Sequence, residues 1–431
     1  TGSFRTEKVD GKWWLVDPEG RLFWSHGMGS VALGGGSAVI TDREFYFTEL
    51  PDSVKYSSFY SNRKFAPFGY YKNKKMVSFD QIAWNMMRKY GDGWKEKVVN
   101  LVPKRLESWG QNTLGAWTTS DLFLKSTIPY TPIIMPAAKR IEGSEGHWYK
   151  YTDCYDTSFV GNLTRKILAV GKSTTDPYCI GYYVDNEITW GDSTGVARWT
   201  IASPASQAAK IVMLSFLKKK YKSVGDLNKR WGTEFASWDD FMNSTKKLDI
   251  RNEDTKEFTL MAINDYFRIV KETLKKLAPD KLYLGPRLDF HFYPSEENLN
   301  DWDFRNNWIV NISAKYCDVI SFNRYRHTAA DLRPGDFDKP VIVGEWHHVP
   351  LEKGSFYKGP EHFNEALKMR AEKYEYFVKS CLDNPYIVGA HYFQFLDQPT
   401  IGRGDGENFS CGFLNICDRP HDEMVNVSRK I

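Results

Sequence analysis

The chain has 431 residues, enough to bury a large core in one big domain or in two or three smaller ones. Its 58 basic and 54 acidic residues are well mixed for a net charge of +4, with no basic stripe of the kind a nucleic-acid binder presents. No apolar run approaches the ~20 residues of a membrane span, so neither nucleic acid nor a bilayer is an expected partner.

Read in order, EKVDGKWWLVDPEGRLFWSHGMGS (7–30) predicts a strand, a DPEG turn and a further strand ending in glycines. WWLV is taken as a hairpin strand closing one end of the fold and LFWSHGMG as strand 1, with His26 either a rim ligand or a packed core imidazole. Residues 31–90 lack clear periodicity and are expected to be a long site-forming loop. A helix follows over 92–110, stopped by glycine; QNTLGAWT is strand 2, PYTPIIM strand 3, and a helix at about 156–171 leads to DPYCIGYYVDNE, strand 4. Beyond a helical stretch, residues 255–280 give the clearest amphipathic helix, halted by Pro279; KLYLGPRL is then strand 5 and YCDVISFNRY strand 6. KPVIVGEWH is strand 7, and one more helix leads to IVGAHYFQF, strand 8. Eight strand–helix alternations without a linker or low-complexity stretch predict an α/β protein: a single (β/α)8 TIM barrel over 1–431 with extended site-forming loops.

Strands 4 and 7 are too apolar to be one-sided, as a parallel strand covered on both faces must be. Each then stops at a glutamate, Glu187 and Glu345, at the rim where barrels of this kind build their sites. One such glutamate alone reads as an ordinary rim acid; two make a catalytic pair the better reading. Two facing carboxylates suit glycosidic hydrolysis, in which one delivers a proton to the leaving oxygen and the other acts from the opposite side of the ring. The 66 aromatic rings, 15% of the chain, weakly favour a carbohydrate cleft as well as a core.

Asn186-Glu187 and Glu345 resemble the Asn-Glu and Glu pair of the large retaining glycosidase clan. That resemblance implies Glu187 as acid/base, Glu345 as nucleophile, Asn186 on the sugar 2-hydroxyl and Tyr325 touching the nucleophile. More narrowly, VDPEGRLFWSHGMGS, WGQNTLGAW, GYYVDNEITWGD, LNKRWGT, VIVGEWHH and GAHYFQFLDQPTIGRGDGENFSCGF are similar to the family 50 β-agarases. The resemblance implies cleavage of β-1,4 bonds in agarose-type galactans, exo-acting with disaccharide release, and a secreted or periplasmic bacterial location. The chain opens TGSF without Met, so a processed terminus is expected. The family commonly carries a β-sandwich before the barrel and reads HWFQ in strand 8. Here HYFQ stands instead, so Tyr392, expected to floor the subsite, implies an altered substrate such as porphyran, carrageenan or another algal galactan. A β-galactosidase-like activity on short oligosaccharides with the same two glutamates is the nearest enzyme rival. A non-catalytic carbohydrate-binding barrel is the reading from another class.

Around the pair, Trp117, Trp190 and Trp346 follow strand ends and serve either as sugar platforms or as core. Arg287 and His291 follow strand 5, and His347 and His348 follow Glu345; His347 is placed to bond a hydroxyl. Asn323, Gln394 and Asp397 at strand ends 6 and 8 are expected to bond hydroxyls, unless Asp397 pairs with Arg403 to hold its loop closed. Asp185, by strand alternation, is structural. The six cysteines show neither a CxxC pair nor zinc spacing, and the His and Asp residues occur singly, so no metal or other cofactor is expected. Cys411 and Cys417 lie close enough to bridge, but spacing does not establish it. No GxSxG elbow or phosphate loop is present. Oligomeric state is not encoded in any of these features.

Overall fold

A computed structural model describes residues 2–34, 37–62, 66–289, 307–350 and 360–431. His291 lies outside them. The architecture is α/β, with helices flanking parallel strands that lie inside the predicted runs but are shorter than them, three being only two residues long. These strands are Ser25–Met28 (β1), Thr113–Leu114 (β2), Ile133–Ile134 (β3), Gly181–Val184 (β4), Leu282–Tyr283 (β5), Ile320–Asn323 (β6), Val341–Trp346 (β7) and Ile387–Tyr392 (β8). Strands β4, β7 and β8 are buried at every position, because helices cover one face and side chains from the other strands fill the opposite one.

Five strands pair in parallel in the order β6-β7-β8-β1-β2, and three more in the order β5-β4-β3. Single parallel bridges join the two groups, Leu114 to Tyr130 on one side and Leu288 to Phe322 on the other. The β6–β7 register slips between Phe322 and Asn323, which sets Asn323 opposite Glu345. That irregularity aims both side chains at the rim.

The WWLV stretch forms the predicted hairpin, Arg5–Val9 against Lys12–Val16, with Leu22–Phe23 as a third antiparallel strand. Phe4 and Leu15 pack on Ile180, Leu282, Val319, Ile342 and Val388, residues at or near the starts of their strands, so the hairpin seals the end opposite the glutamates. The 25-residue helix Glu253–Leu277 starts at an Asn252–Thr255 capping box and ends at Ala278, just before Pro279.

Residues 31–90 correct the expectation of an irregular loop. They contain a small antiparallel sheet of Ser37–Val39, Tyr60–Ser61 and Ser78–Asp80, then a helix Gln81–Tyr90. Asp80 caps that helix by accepting from the Ala83 N–H at 3.0 Å. Its buried Ile82, Ala83 and Met86 carry the 3.6-residue period that a reading of the whole segment misses. The cysteines are free thiols; Cys411 is buried and Cys417 exposed, so no bridge joins them.

Candidate active site

Both glutamates lie just beyond or at the C-terminal ends of their strands, nearly buried at 6% and 7% exposure. Asn323 ties them into one constellation: it stands in register with Glu345 and donates its Nδ2 hydrogen to Glu187 Oε1 at 2.5 Å. Arg287, following β5, reaches the same centre. Its guanidinium forms an ion pair with Glu345 Oε2 while the Tyr325 hydroxyl donates to Glu345 Oε1 at 2.5 Å. Glu345 therefore meets a cation and a hydroxyl donor, both of which stabilise its ionised form.

Glu187 is set differently. Burial, and then the nearby Asp289 carboxylate, push its pKa up to about 7, against the opposing pull of Asn323, Arg287 and Trp148. The Trp148 indole N–H donates to Glu187 Oε2 at 2.5 Å. Two carboxyl groups in one pocket with environments this unlike suit divided acid and base roles.

The backbone is strained here. Trp117, Asp185, Glu187 and Arg287 all have positive φ, at 64°, 65°, 47° and 54°, although none is glycine. Each is held in the left-handed region at a cost of roughly 1–2 kcal/mol, and strain gathered at one rim is a mark of a functional site. The Tyr149 hydroxyl holds the turn at 185–187. It donates to the Asn186 carbonyl at 2.7 Å and accepts from the Asn186 N–H at 3.1 Å.

Other expected residues divide. Asn186 is buried beside Glu187, and neither its Oδ1 nor that of Asn323 has a hydrogen-bond partner among the described residues. Tyr325 sits on Glu345, and the His347 ring packs edge-on to Tyr325 at 4.8 Å. Burial lowers His347 to about 4, and its Nδ1 lies 2.9 Å from the Phe393 carbonyl, so it faces the site as a neutral imidazole. Gln394 donates to the Leu396 carbonyl at 2.6 Å. Asp185 is structural as expected, accepting from Tyr266 at 2.9 Å.

Three aromatic residues and Asp397 need correcting. Trp190 is fully buried and stacked on Phe267, Trp346 is stacked on Phe377 at 4.1 Å, and Tyr392 lies edge-on to Trp346 with its hydroxyl on the His348 carbonyl. These rings have no face left for a sugar, because strand alternation turns Trp346 and Tyr392 away from the Glu345 side. Tyr392 therefore gives no ground for an altered substrate. Trp117 is the 37% exposed ring, with the Arg287 guanidinium 5.8 Å from its centroid. Asp397 accepts from Ser410, the Gly412 N–H and His421, while Arg403 pairs with Asp405 and Glu407 rather than with Asp397. His26 is a core imidazole, bonded to Tyr374 and lowered by burial to about 4.

Sequence reasoning passed over Trp148, Tyr149 and Asp289. The first two come from the loop after β3, where no periodicity or motif points at residue 187. Asp289 follows Arg287 by two residues, and its place two positions along the same strand end was a usable signal. Among the described residues no cluster of His, Cys, Asp and Glu could hold a metal ion, and no helix is long and apolar enough to cross a membrane.

The glycosidase family described as β-galactosidase matches residues 137–337, which include Glu187 but not Glu345. β-Agarase B of Vibrio sp. (strain JT0107) is 34% identical over the whole of this chain and 48% of its own length; β-agarase A of the same organism is 31% identical over 98% of the chain and 44% of its own. Among solved structures, an exo-β-agarase superposes with a TM-score of 0.80 at 27% identity, covering all of this chain and 65% of that one. Along its length the chain is similar to β-agarases. A second agarase structure agrees, with a TM-score of 0.79 at 30% identity over all of this chain and 64% of that one. The β-agarase-like chain spans just under half the length of the two Vibrio proteins.

Proposed function

We propose that this β-agarase-like chain is a retaining glycoside hydrolase that cleaves β-1,4-galactosidic bonds of agarose-type galactans from a chain end, releasing disaccharides. The observation that carries this reading is the unlike setting of the two carboxyl groups. Glu187, raised to about 7, is the proton donor to the glycosidic oxygen, and Glu345, held by Arg287 and Tyr325, is the nucleophile. Attack by Glu345 on the anomeric carbon forms a glycosyl-enzyme as Glu187 protonates the departing sugar. Glu187, now ionised, takes a proton from the water that releases it. The buried amides of Asn186 and Asn323 lie beside Glu187 and suit sugar hydroxyls. His347, packed on Tyr325, and Gln394 are further hydroxyl-binding side chains of this reading, and Trp117 is an exposed ring for stacking.

The scaffold is a single (β/α)8 barrel over 1–431. Support comes from the isolated bridges Leu114–Tyr130 and Leu288–Phe322, each of which joins an edge of the five-strand group to an edge of the three-strand group. The reaction takes place outside the cytoplasm, since a polysaccharide substrate of this class does not cross a bacterial inner membrane. The match of residues 137–337 to the β-galactosidase family favours one second reading, hydrolysis of short β-galactoside oligosaccharides by the same two residues.

The test is a product profile after incubation with agarose, porphyran, carrageenan and neoagaro-oligosaccharides. A single disaccharide from agarose supports the proposal. Release only from oligosaccharides moves it to the second reading, and binding without any product defeats both in favour of a non-catalytic carbohydrate-binding protein.

A further inference from the structure

Beyond the Asn323 amide on Glu187 Oε1, the loop after β3 meets the 185–187 turn with two consecutive side chains. Trp148 donates its indole N–H to Glu187 Oε2 at 2.5 Å. Tyr149 closes both backbone groups of the neighbouring Asn186 on one hydroxyl and reaches Asp185 Oδ1 at 3.3 Å, across a turn in which Asp185 and Glu187 have positive φ. The pair is itself braced. The Arg140 guanidinium lies 4.3 Å over the Tyr149 ring, and Phe68 packs on Trp148 at 5.8 Å and on His147 at 5.0 Å.

We propose that Trp148 and Tyr149 form a clasp of positioning residues that fixes the orientation and proton affinity of Glu187. This rests on the reading of Glu187 as the acid/base. Tyr149 holds the strained turn that presents the carboxyl group, and Trp148 fixes the rotation of the carboxyl plane so that one oxygen faces the leaving group. The indole N–H also favours the ionised form of Glu187 and so opposes the upward push of burial and Asp289. Phe68 packs against both Trp148 and its neighbour His147 and so braces the clasp from a third segment.

The charged and titratable groups named around Glu187 come from three strand ends and the clasp loop. Asp289 raises it and Arg287 lowers it. Tyr149 and Tyr325, both raised far above the ordinary phenol range by burial, stay neutral across the working pH. Glu345 is compensated by Arg287. None of these groups is removed in a Trp148→Phe variant, which keeps a smaller aromatic ring on the side of Phe68 and His147 and deletes the indole donor.

The test is the Glu187 titration read by carboxyl infrared difference spectroscopy, subtracting Glu187→Gln, in the parent chain and in Trp148→Phe. Loss of a hydrogen bond to the charged form is expected to raise the midpoint by about one pH unit. With an active chain, the alkaline limb of kcat/KM moves up by the same amount while kcat below that limb falls about tenfold with little change in KM. Tyr149→Phe, which leaves the Trp148 bond intact, is expected to lower kcat without moving the midpoint. Superimposable titrations for Trp148→Phe and the parent, or an unchanged kcat in Tyr149→Phe, overturn the proposal. Because the infrared midpoint needs no turnover, a chain that cleaves no galactan defeats the functional reading while the clasp is still decided by the midpoint.

Discussion

At the scale of single residues, Glu187 and Glu345 have different electrostatic surroundings. Glu345→Gln is expected to abolish nearly all turnover while leaving oligosaccharide binding measurable by calorimetry; an active variant rules out Glu345 as nucleophile. The same substitution leaves the buried Arg287 cation without its counter-charge, which costs about 3–5 kcal/mol and should lower the melting temperature. Glu187→Gln should slow substrates with poor leaving groups by about 10²–10⁴-fold and barely affect glycosylation by an activated aryl galactoside. Equal loss on both substrates argues against a proton-donor role. Since Glu187 must be protonated to donate, kcat/KM should fall as pH rises through about 7. The sign for stability follows from the same shift. A carboxyl group raised on folding is protonated in both states below its unfolded pKa and penalises the folded state as pH climbs through 7. Glu187→Gln should therefore be more stable than the parent at pH 8 and gain little at pH 4, which thermal melts at the two values would measure.

At the scale of elements, the strands were legible because their burial is written as continuous apolar runs. GYYV, VIVGEW and IVGAHY are each buried at every position. The turn that strand 4 makes at 185–187 was legible as a change to polar residues, but its left-handed backbone was not. Trp190 and Trp346 show the limit of reading strand ends: a tryptophan there serves a sugar or a helix equally well, and only the partner rings Phe267 and Phe377 decide. Trp148 and Tyr149 were illegible for another reason, since a loop 39 residues before Glu187 reaches it through tertiary folding alone. Gly344 tests how tightly β7 sets the site. A Cβ there would lie 3.3 Å from Arg287 Cγ and 3.4 Å from Asn323 Oδ1. Gly344→Ala should cost about 1–3 kcal/mol by overpacking, yet lose more activity than stability, because the two displaced groups hold Glu345 and Glu187. A variant with parental kcat would mean that the strand tolerates the methyl without moving either.

At the scale of the whole molecule, the fold has to bind its last turns to its first helices, and Asp418 does this. It is almost fully buried and meets Arg105 at 2.6 Å, Lys89 at 3.0 Å and the Tyr90 hydroxyl at 2.5 Å, more than 300 residues away in sequence. Burial opposes its charge, but Arg105 and Tyr90 outweigh burial and hold its pKa below the usual carboxylate range. A depressed carboxyl pKa gives stability that is present above the unfolded pKa and lost as pH falls through the folded one. None of its partners touches Glu187 or Glu345, so this network serves the frame rather than the chemistry. Asp418→Ala strands the Arg105 guanidinium in a part-buried setting and is expected to destabilise by about 3–5 kcal/mol, with kcat at 20 °C preserved in the folded fraction. The stability loss should shrink as pH falls below 4, where the parent gives up the same ion pair. Melting curves at pH 7 and pH 3 with activity assayed alongside would check both parts. An equal loss at the two pH values would mean that packing around Asp418, and not its charge, joins it to the helices that carry Lys89, Tyr90 and Arg105.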